Sequence, residues 1–294
     1  MGRSAIRAGE IGLADMTALT VTTRDGLRLR GEIEGERTAP LVVLAHGGGQ
    51  TRHAWTGAAE RLLDEDFSVV RMDARGHGDS DWSPDRDYRM ETFADDLMQL
   101  LDTLGRPAAL VGASLGGVSA LLTAAQAPDR VWSLILVDIV PRFAGPGVER
   151  VRRFMHAHSD GFATLEEASA AVRAYNPHRP PPKDPGNLMR NLRERNGRLH
   201  WHWDPAVTGA APDAALGAML SARLAAIPPS LPLLLVSGAD SDVVDPEAVA
   251  EFSRQAPQAE TVIVPRAGHM VAADRNDAFG EAISTFLKRA APPS

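Results

Sequence analysis

Short runs of apolar residues, separated by polar turns, mark both ends of the chain. An early pair lies at 19–23 and 27–33, followed by PLVVLAH (40–46), FSVVRMD (67–73), PAALVGA (107–113), VWSLILVD (131–138), LPLLLVSG (231–238) and ETVIVP (260–265). The later runs are continuous rather than alternating, the pattern of parallel strands covered on both faces. Between them Trp55, Ala58, Ala59 and Leu62 recur at helical spacing, as do Phe93, Leu97, Leu100, Leu101 and Leu104, the second series stopping at Gly105. Residues 115–127 predict a further helix ended by Pro128, and Phe279, Ile283, Phe286 and Leu287 a last one. The expected fold class is α/β: a mostly parallel sheet with helices on both faces.

From 141 to about 226 that rhythm breaks. No strand-like run is evident there, while Val151, Phe154 and Met155, then Leu165, Ala168, Val172 and Tyr175, have helical spacing. This predicts a helical insertion at 141–226 between core segments 1–140 and 227–294. Five prolines in 177–186 predict a stiff irregular loop within it. No internal repeat is visible.

Composition narrows the chemistry. The 294 residues contain no cysteine, which excludes disulfides, thiolate metal sites, iron–sulfur clusters and a cysteine nucleophile. A net charge of -7 supplies no field for phosphate backbones or anionic lipid, so neither a nucleic-acid nor a membrane partner is expected. No apolar run approaches the roughly 20 residues that span a bilayer. The first residues, broken by Arg3, Arg7, Glu10 and Asp15, form no signal-peptide core, and the expected location is cytoplasmic. Oligomeric state is not readable.

The central chemical signal is Gly112-Ala113-Ser114-Leu115-Gly116, directly after a strand-like run and directly before a helical one. A serine on so sharp a turn stands exposed, and its glycines are required where a Cβ would strike neighbouring chain. A serine hydroxyl needs a base, and the base needs a carboxylate to hold its tautomer. His269 follows the last strand-like run, and Asp240 and Asp242 follow the run before it. The chain order is then Ser, Asp, His.

With these residues the sequence resembles the α/β-hydrolase fold superfamily over most of its length. His46-Gly47-Gly48-Gly49 resembles the family's oxyanion loop, 73–80 (DARGHGDS) its turn after the fourth strand, Gly112–Gly116 its nucleophile elbow, and Ala267-Gly268-His269 its histidine loop. The resemblance implies Ser114 as nucleophile, His269 as base and Asp242 as acid. It also implies an oxyanion hole from the backbone N–H groups of Gly48 and Leu115, and a cap over the site formed by the insertion. Two alternatives stay open for the acid. Asp240 could serve, with Asp242 capping a helix near Pro246, and some family members place the acid one strand earlier, where Asp138 stands.

Metal and cofactor readings are weaker. His46 and His77 lie in glycine-shaped loops, and the pairs His156/His158 and His200/His202 have no carboxylate cluster beside them, so no metal is expected. Gly47–Gly49 lacks a P-loop lysine, and no dinucleotide fingerprint occurs, so no cofactor is expected. The arginines of 190–198 suggest a solvated helix face. Trp201, Trp203, Tyr175, Phe154 and Met155 are candidate pocket residues in the cap. The expected activity is cleavage of a small-molecule carboxylic ester or lactone. Perhydrolase or haloperoxidase-like, C–C hydrolase and acyltransferase chemistry would use the same triad, and a non-catalytic receptor or scaffold would use the fold alone.

Overall fold

Every run read as a strand becomes one in the computed structural model, which describes residues 16–142, 146–177, 185–209, 214–274 and 276–292. Strands β1 (Thr17–Thr22), β2 (Arg28–Glu34) and β3 (Leu41–Ala45) precede helix α1 (Thr56–Asp64) and β4 (Ser68–Met72). Then come α2 (Met90–Leu104), β5 (Ala108–Ala113), α3 (Leu115–Gln126) and β6 (Val131–Val137). After a long excursion, β9 (Leu233–Gly238), α7 (Pro246–Gln255), β10 (Glu260–Val264), α8 (Val271–Asp274) and α9 (Asn276–Ala290) complete the sheet and its cover. One eight-stranded sheet results, in the order β1-β2-β4-β3-β5-β6-β9-β10. β2 pairs antiparallel with β1 and β4, and every other pairing is parallel.

The continuous apolar runs are explained by two cores, one on each sheet face. Alternate residues of β5 divide between them: Leu110 packs with Leu97, Leu101 and Leu121, whereas Ala109 and Val111 pack with Trp55, Leu62, Phe279 and Ile283. Burying each large side chain contributes about 1.5–3 kcal/mol, so covering both faces is what holds the sheet between its helices. α2 buries Phe93, Leu97, Leu100 and Leu101 and ends where Gly105 takes a left-handed conformation (φ 68°), its N–H closing on the Leu101 carbonyl at 3.0 Å.

Between β6 and β9 lie α4 (Pro146–His156), α5 (Leu165–Tyr175), β7 (Leu192–Arg195), β8 (Arg198–Trp201) and α6 (Ala214–Ala225). The expected absence of strands here is corrected. β7 and β8 form an antiparallel hairpin with Arg195 opposite Arg198, turning through Asn196 (φ 52°) and Gly197 (φ 71°). That two-residue Asn-Gly turn, with both central residues at positive φ, is the geometry that suits the twist of a hairpin. The same finding corrects the solvated helix expected at 190–198. Arg193 pairs with Asp79 at 2.7 Å, Arg195 lies over the Trp82 ring at 4.3 Å, and Arg198 donates to the Asp160 and Gly161 carbonyls.

Met155, Phe162, Ala168, Leu192, Trp201 and Trp203 make a small separate core for this excursion. α6, although within 141–226, buries Leu220 and Leu224 in the large core instead. The proline-rich stretch falls mostly on residues 178–184, outside the described residues, as do the first fifteen.

Candidate active site

Ser114 sits between the end of β5 and the first turn of α3 at φ 47° and ψ -113°, a conformation that is costly for a residue with a Cβ. The flanking glycines let the turn be this tight. A Cβ on Gly112 would lie 2.3 Å from the Gly116 carbonyl oxygen, and one on Gly116 2.2 Å from that of Ala45 on β3. Both obstacles are backbone and cannot swing away. Ser114 is thereby lifted to the C-terminal rim of the sheet, over the amide end of α3, whose partial positive charge favours an anion there.

His269 lies on the loop after β10. Gly238, the last residue of β9, lets that loop lean inward, since a Cβ there would stand 2.3 Å from the Ala267 oxygen and 2.4 Å from that of Gly268. The loop is pinned by Ala239 N–H to Val264 O and Asp240 N–H to Ala267 O, each at 2.9 Å. The His269 ring is thus carried across the end of β9 to β6, where Nδ1 meets Asp138 Oδ2 at 2.8 Å.

This corrects the carboxylate expected beside the histidine. The carboxylate that holds His269 belongs to Asp138, the residue after β6, and not to Asp242 or Asp240. Asp138 is fully buried and has a left-handed backbone (φ 49°), and its two oxygens are fully engaged. Oδ1 accepts from Ser237 Oγ (2.7 Å) and Gly238 N–H (3.1 Å), while Oδ2 accepts from Ser241 Oγ (2.6 Å) beside the imidazole. Ser241 Oγ in turn accepts from the N–H groups of Val243 and Val244. Asp242 makes a bidentate pair with Arg150 of α4 at 2.8 and 3.0 Å. Burial pushes its carboxyl up, but the Arg150 hydrogen bonds and charge outweigh this and hold it below the ordinary range. The helix cap before Pro246 is Asp245, which accepts from Ala248 N–H at 2.7 Å. Asp240 is exposed.

The glycine loop after β3 faces the same rim. Gly47 N–H donates to Gln50 Oε1 at 3.0 Å and Gly49 N–H to His77 Nε2 at 3.1 Å, whereas Gly48 N–H has no acceptor among the described residues. A Cβ on Gly47 would stand 3.5 Å from that of Ser114, so the loop passes directly over the hydroxyl-bearing turn. Leu115 N–H opens α3, where first-turn amides have no helical partner.

Three buried imidazoles brace this loop and the turn after β4. His46 donates through Nδ1 to Gly47 O (2.8 Å) and accepts Ala74 N–H on Nε2 (3.0 Å). His77 donates through Nδ1 to Arg75 O (2.9 Å) and ties down Gly49. His202, from the residue after β8, accepts Gly78 N–H at 2.7 Å. Burial lowers the pKa of all three, His77 to about 3, and the neighbouring His46 adds to the shift at His77. His46 and His77, the loop histidines that tempt a metal reading, have both ring nitrogens engaged with backbone. Among the described residues no cluster of three or more His, Asp or Glu could hold a metal ion.

Ser114, His269, Gly48 and Leu115 share a cavity of about 230 Å³ roofed by α4 and α5. Of the five candidate pocket residues, Phe154, Met155 and Tyr175 line it and Trp201 and Trp203 do not. Those two rings stack on each other at 4.9 Å inside the small separate core between β6 and β9. Sequence reasoning missed Arg152, a charged side chain in a mostly apolar lining; its signal is placement, since it stands among Val148, Val151 and Met155 on one face of α4.

Residues 40–275 match the family model described as the alpha/beta hydrolase fold. An sn-1-specific diacylglycerol lipase of Mus musculus is 32% identical over 273 residues, covering 87% of this chain and 83% of that protein. A 2-(acetamidomethylene)succinate hydrolase of Mesorhizobium japonicum is 30% identical, over 88% of this chain and 92% of that one. Among solved structures, E-2-(acetamidomethylene)succinate hydrolase superposes with a TM-score of 0.82 at 27% identity, over 93% of this chain and all of that one. An esterase of Mycobacterium tuberculosis superposes at 0.75 and 28%, over 95% and 92%.

Proposed function

The chain belongs to the α/β-hydrolase fold family, and on that premise we propose that it is a serine hydrolase of small carboxylic esters working through Ser114, His269 and Asp138. The observation that carries the reading is the 2.8 Å contact of His269 Nδ1 with the buried Asp138 carboxylate, in a cavity that Ser114 also lines. Nδ1–H donated to Asp138 leaves Nε2 unprotonated, the tautomer a general base requires. Nε2 takes the Ser114 proton as Oγ attacks the ester carbonyl. Asp138 stays ionised and stabilises the imidazolium that forms.

The carbonyl oxygen becomes an oxyanion as the tetrahedral intermediate forms. The Gly48 and Leu115 N–H groups receive it in this reading, with the amide end of α3 adding favourable potential. His269 returns its proton to the leaving alkoxide, the alcohol departs, and Ser114 carries the acyl group. Water, deprotonated by the same Nε2, then attacks the acyl-enzyme; as that intermediate collapses the acid leaves and Nε2 returns the proton to Ser114 Oγ. Serine, imidazole, carboxylate and water account for every atom and proton, so the cycle draws on no cofactor. The apolar cavity suits an ester with a hydrocarbon acyl chain.

Incubation with a fluorophosphonate is expected to add one phosphonyl mass on the tryptic peptide bearing Ser114. Ser114→Ala should abolish that adduct and lower kcat on activated short-chain esters by about 10⁴-fold or more. An unlabelled wild type that is also inert toward such esters would remove the reading.

A further inference from the structure

Arg152 is unlike every other group around the cavity. The remaining described lining is apolar or neutral apart from His269, so this guanidinium is the one Lys or Arg charge among the described lining residues. It also lines a second groove on the outer side of α4, together with Glu149, Arg153 and His156. It therefore stands between the cavity and solvent. Its Nη1 reaches Glu149 Oε2 at 3.3 Å and its Nη2 the Gly209 carbonyl at 3.2 Å, both long for charge-assisted bonds. Its Nε is buried and has no acceptor among the described residues.

With Nε sealed, the donors left for a ligand are the second N–H groups of Nη1 and Nη2. Together they form the end-on fork, which matches the two oxygens of a carboxylate. The arginine side chain keeps 25% exposure, so a carboxylate placed on it is not stripped of all its water and the pair escapes the full cost of burying charge.

We propose that Arg152 receives a carboxylate of the substrate, so that the preferred ester is the half-ester of a dicarboxylic acid, with the scissile carbonyl at Ser114 and the free acid at the cavity's outer wall. This inference rests on the ester-hydrolase reading of the same cavity. It assigns the selectivity of the site to one fork on α4 and leaves the chemistry with Ser114, His269 and Asp138.

The test compares monoethyl glutarate, adipate and suberate with ethyl pentanoate, hexanoate and octanoate, following acid release. In the wild type kcat/KM should favour the half-ester by about tenfold or more at one chain length at least. The ratio should fall to near one in Arg152→Gln, with Arg152→Lys intermediate because a point charge lacks the fork. The same compounds titrated calorimetrically into Ser114→Ala, with and without Arg152→Gln, give a readout independent of turnover. There the half-ester should bind about tenfold tighter, and only while Arg152 is present.

A wild-type ratio at or below one at every chain length, or a preference that survives Arg152→Gln, overturns the inference while leaving ester hydrolysis standing. If no ester is hydrolysed, the hydrolase reading fails on its own terms and calorimetry decides this one. Arg152-dependent binding of the half-ester then supports it, and equal or absent binding ends it.

Discussion

Two carboxylates stand on neighbouring loops at the same rim of the sheet, and they behave oppositely. Asp138, after β6, is sealed from solvent and holds four donors, one of them His269. Asp242, in the loop after β9, is 40% exposed and grips Arg150, whose guanidinium also reaches the Tyr175 carbonyl and lies 4.7 Å from that ring. One carboxylate orients an imidazole within the core; the other clasps α4 and α5 to the core. The difference teaches that in this fold motif spacing brings acids to the rim, whereas the path of the histidine loop chooses between them. Gly238 sets that path by allowing the loop to cross β9.

The largest expected effect tests that contrast directly. Asp138→Asn should lower kcat on a short-chain ester by about 10⁴-fold while the protein still folds, because the amide can present its N–H to Nδ1 and favour the wrong tautomer. If Asp242→Asn gave the larger loss, the two assignments would exchange places.

Second in size is an effect on stability. His46, His77 and His202 are kept neutral by burial, so their folded pKa values lie below the unfolded value near 6.5. Stability from these rings is complete above about pH 6.5 and is lost as acid protonates the unfolded chain first, a loss that for His77 continues down to about pH 3. At pH 5 His77 alone should account for about 2 kcal/mol relative to pH 8, read by urea unfolding at the two values. His77→Gln should flatten that dependence. An unchanged slope would contradict the neutral buried ring.

Ser241→Ala removes one donor from Asp138 Oδ2 and frees the N–H groups of Val243 and Val244. A loss of about tenfold in kcat/KM is expected, carried by kcat, as the carboxylate loosens under His269. The smallest effect belongs to the exposed clasp. Asp242→Asn should change kcat less than about threefold, with a slightly lower melting temperature whose difference from wild type shrinks in high salt.

Much of this site was legible in the chain. Ser114 was readable because a G-x-S-x-G turn must join an apolar run to a helix, and both flanks were visible. His269 was readable as the histidine after the last strand. The carboxylate was not, because Asp138, Asp240 and Asp242 all follow strand-like runs, and only burial and the lean of the histidine loop separate them. The hairpin at 192–201 carried a local signal in Asn196-Gly197, yet its four-residue strands are too short to show a period of two. Arg152 was marked by a charge on an apolar helix face, a mark that acquires meaning only once α4 is laid over Ser114.

By itself the sequence determined the parallel sheet, its covering helices, and the turns that carry Ser114 and His269, since these follow from periodicities and turns within a few residues of one another. Tertiary structure decided which aspartate meets the imidazole, which aromatic rings face the cavity and where the lone guanidinium stands. Those choices depend on contacts between segments as much as 131 residues apart, and their geometry is set by packing across the sheet and cap.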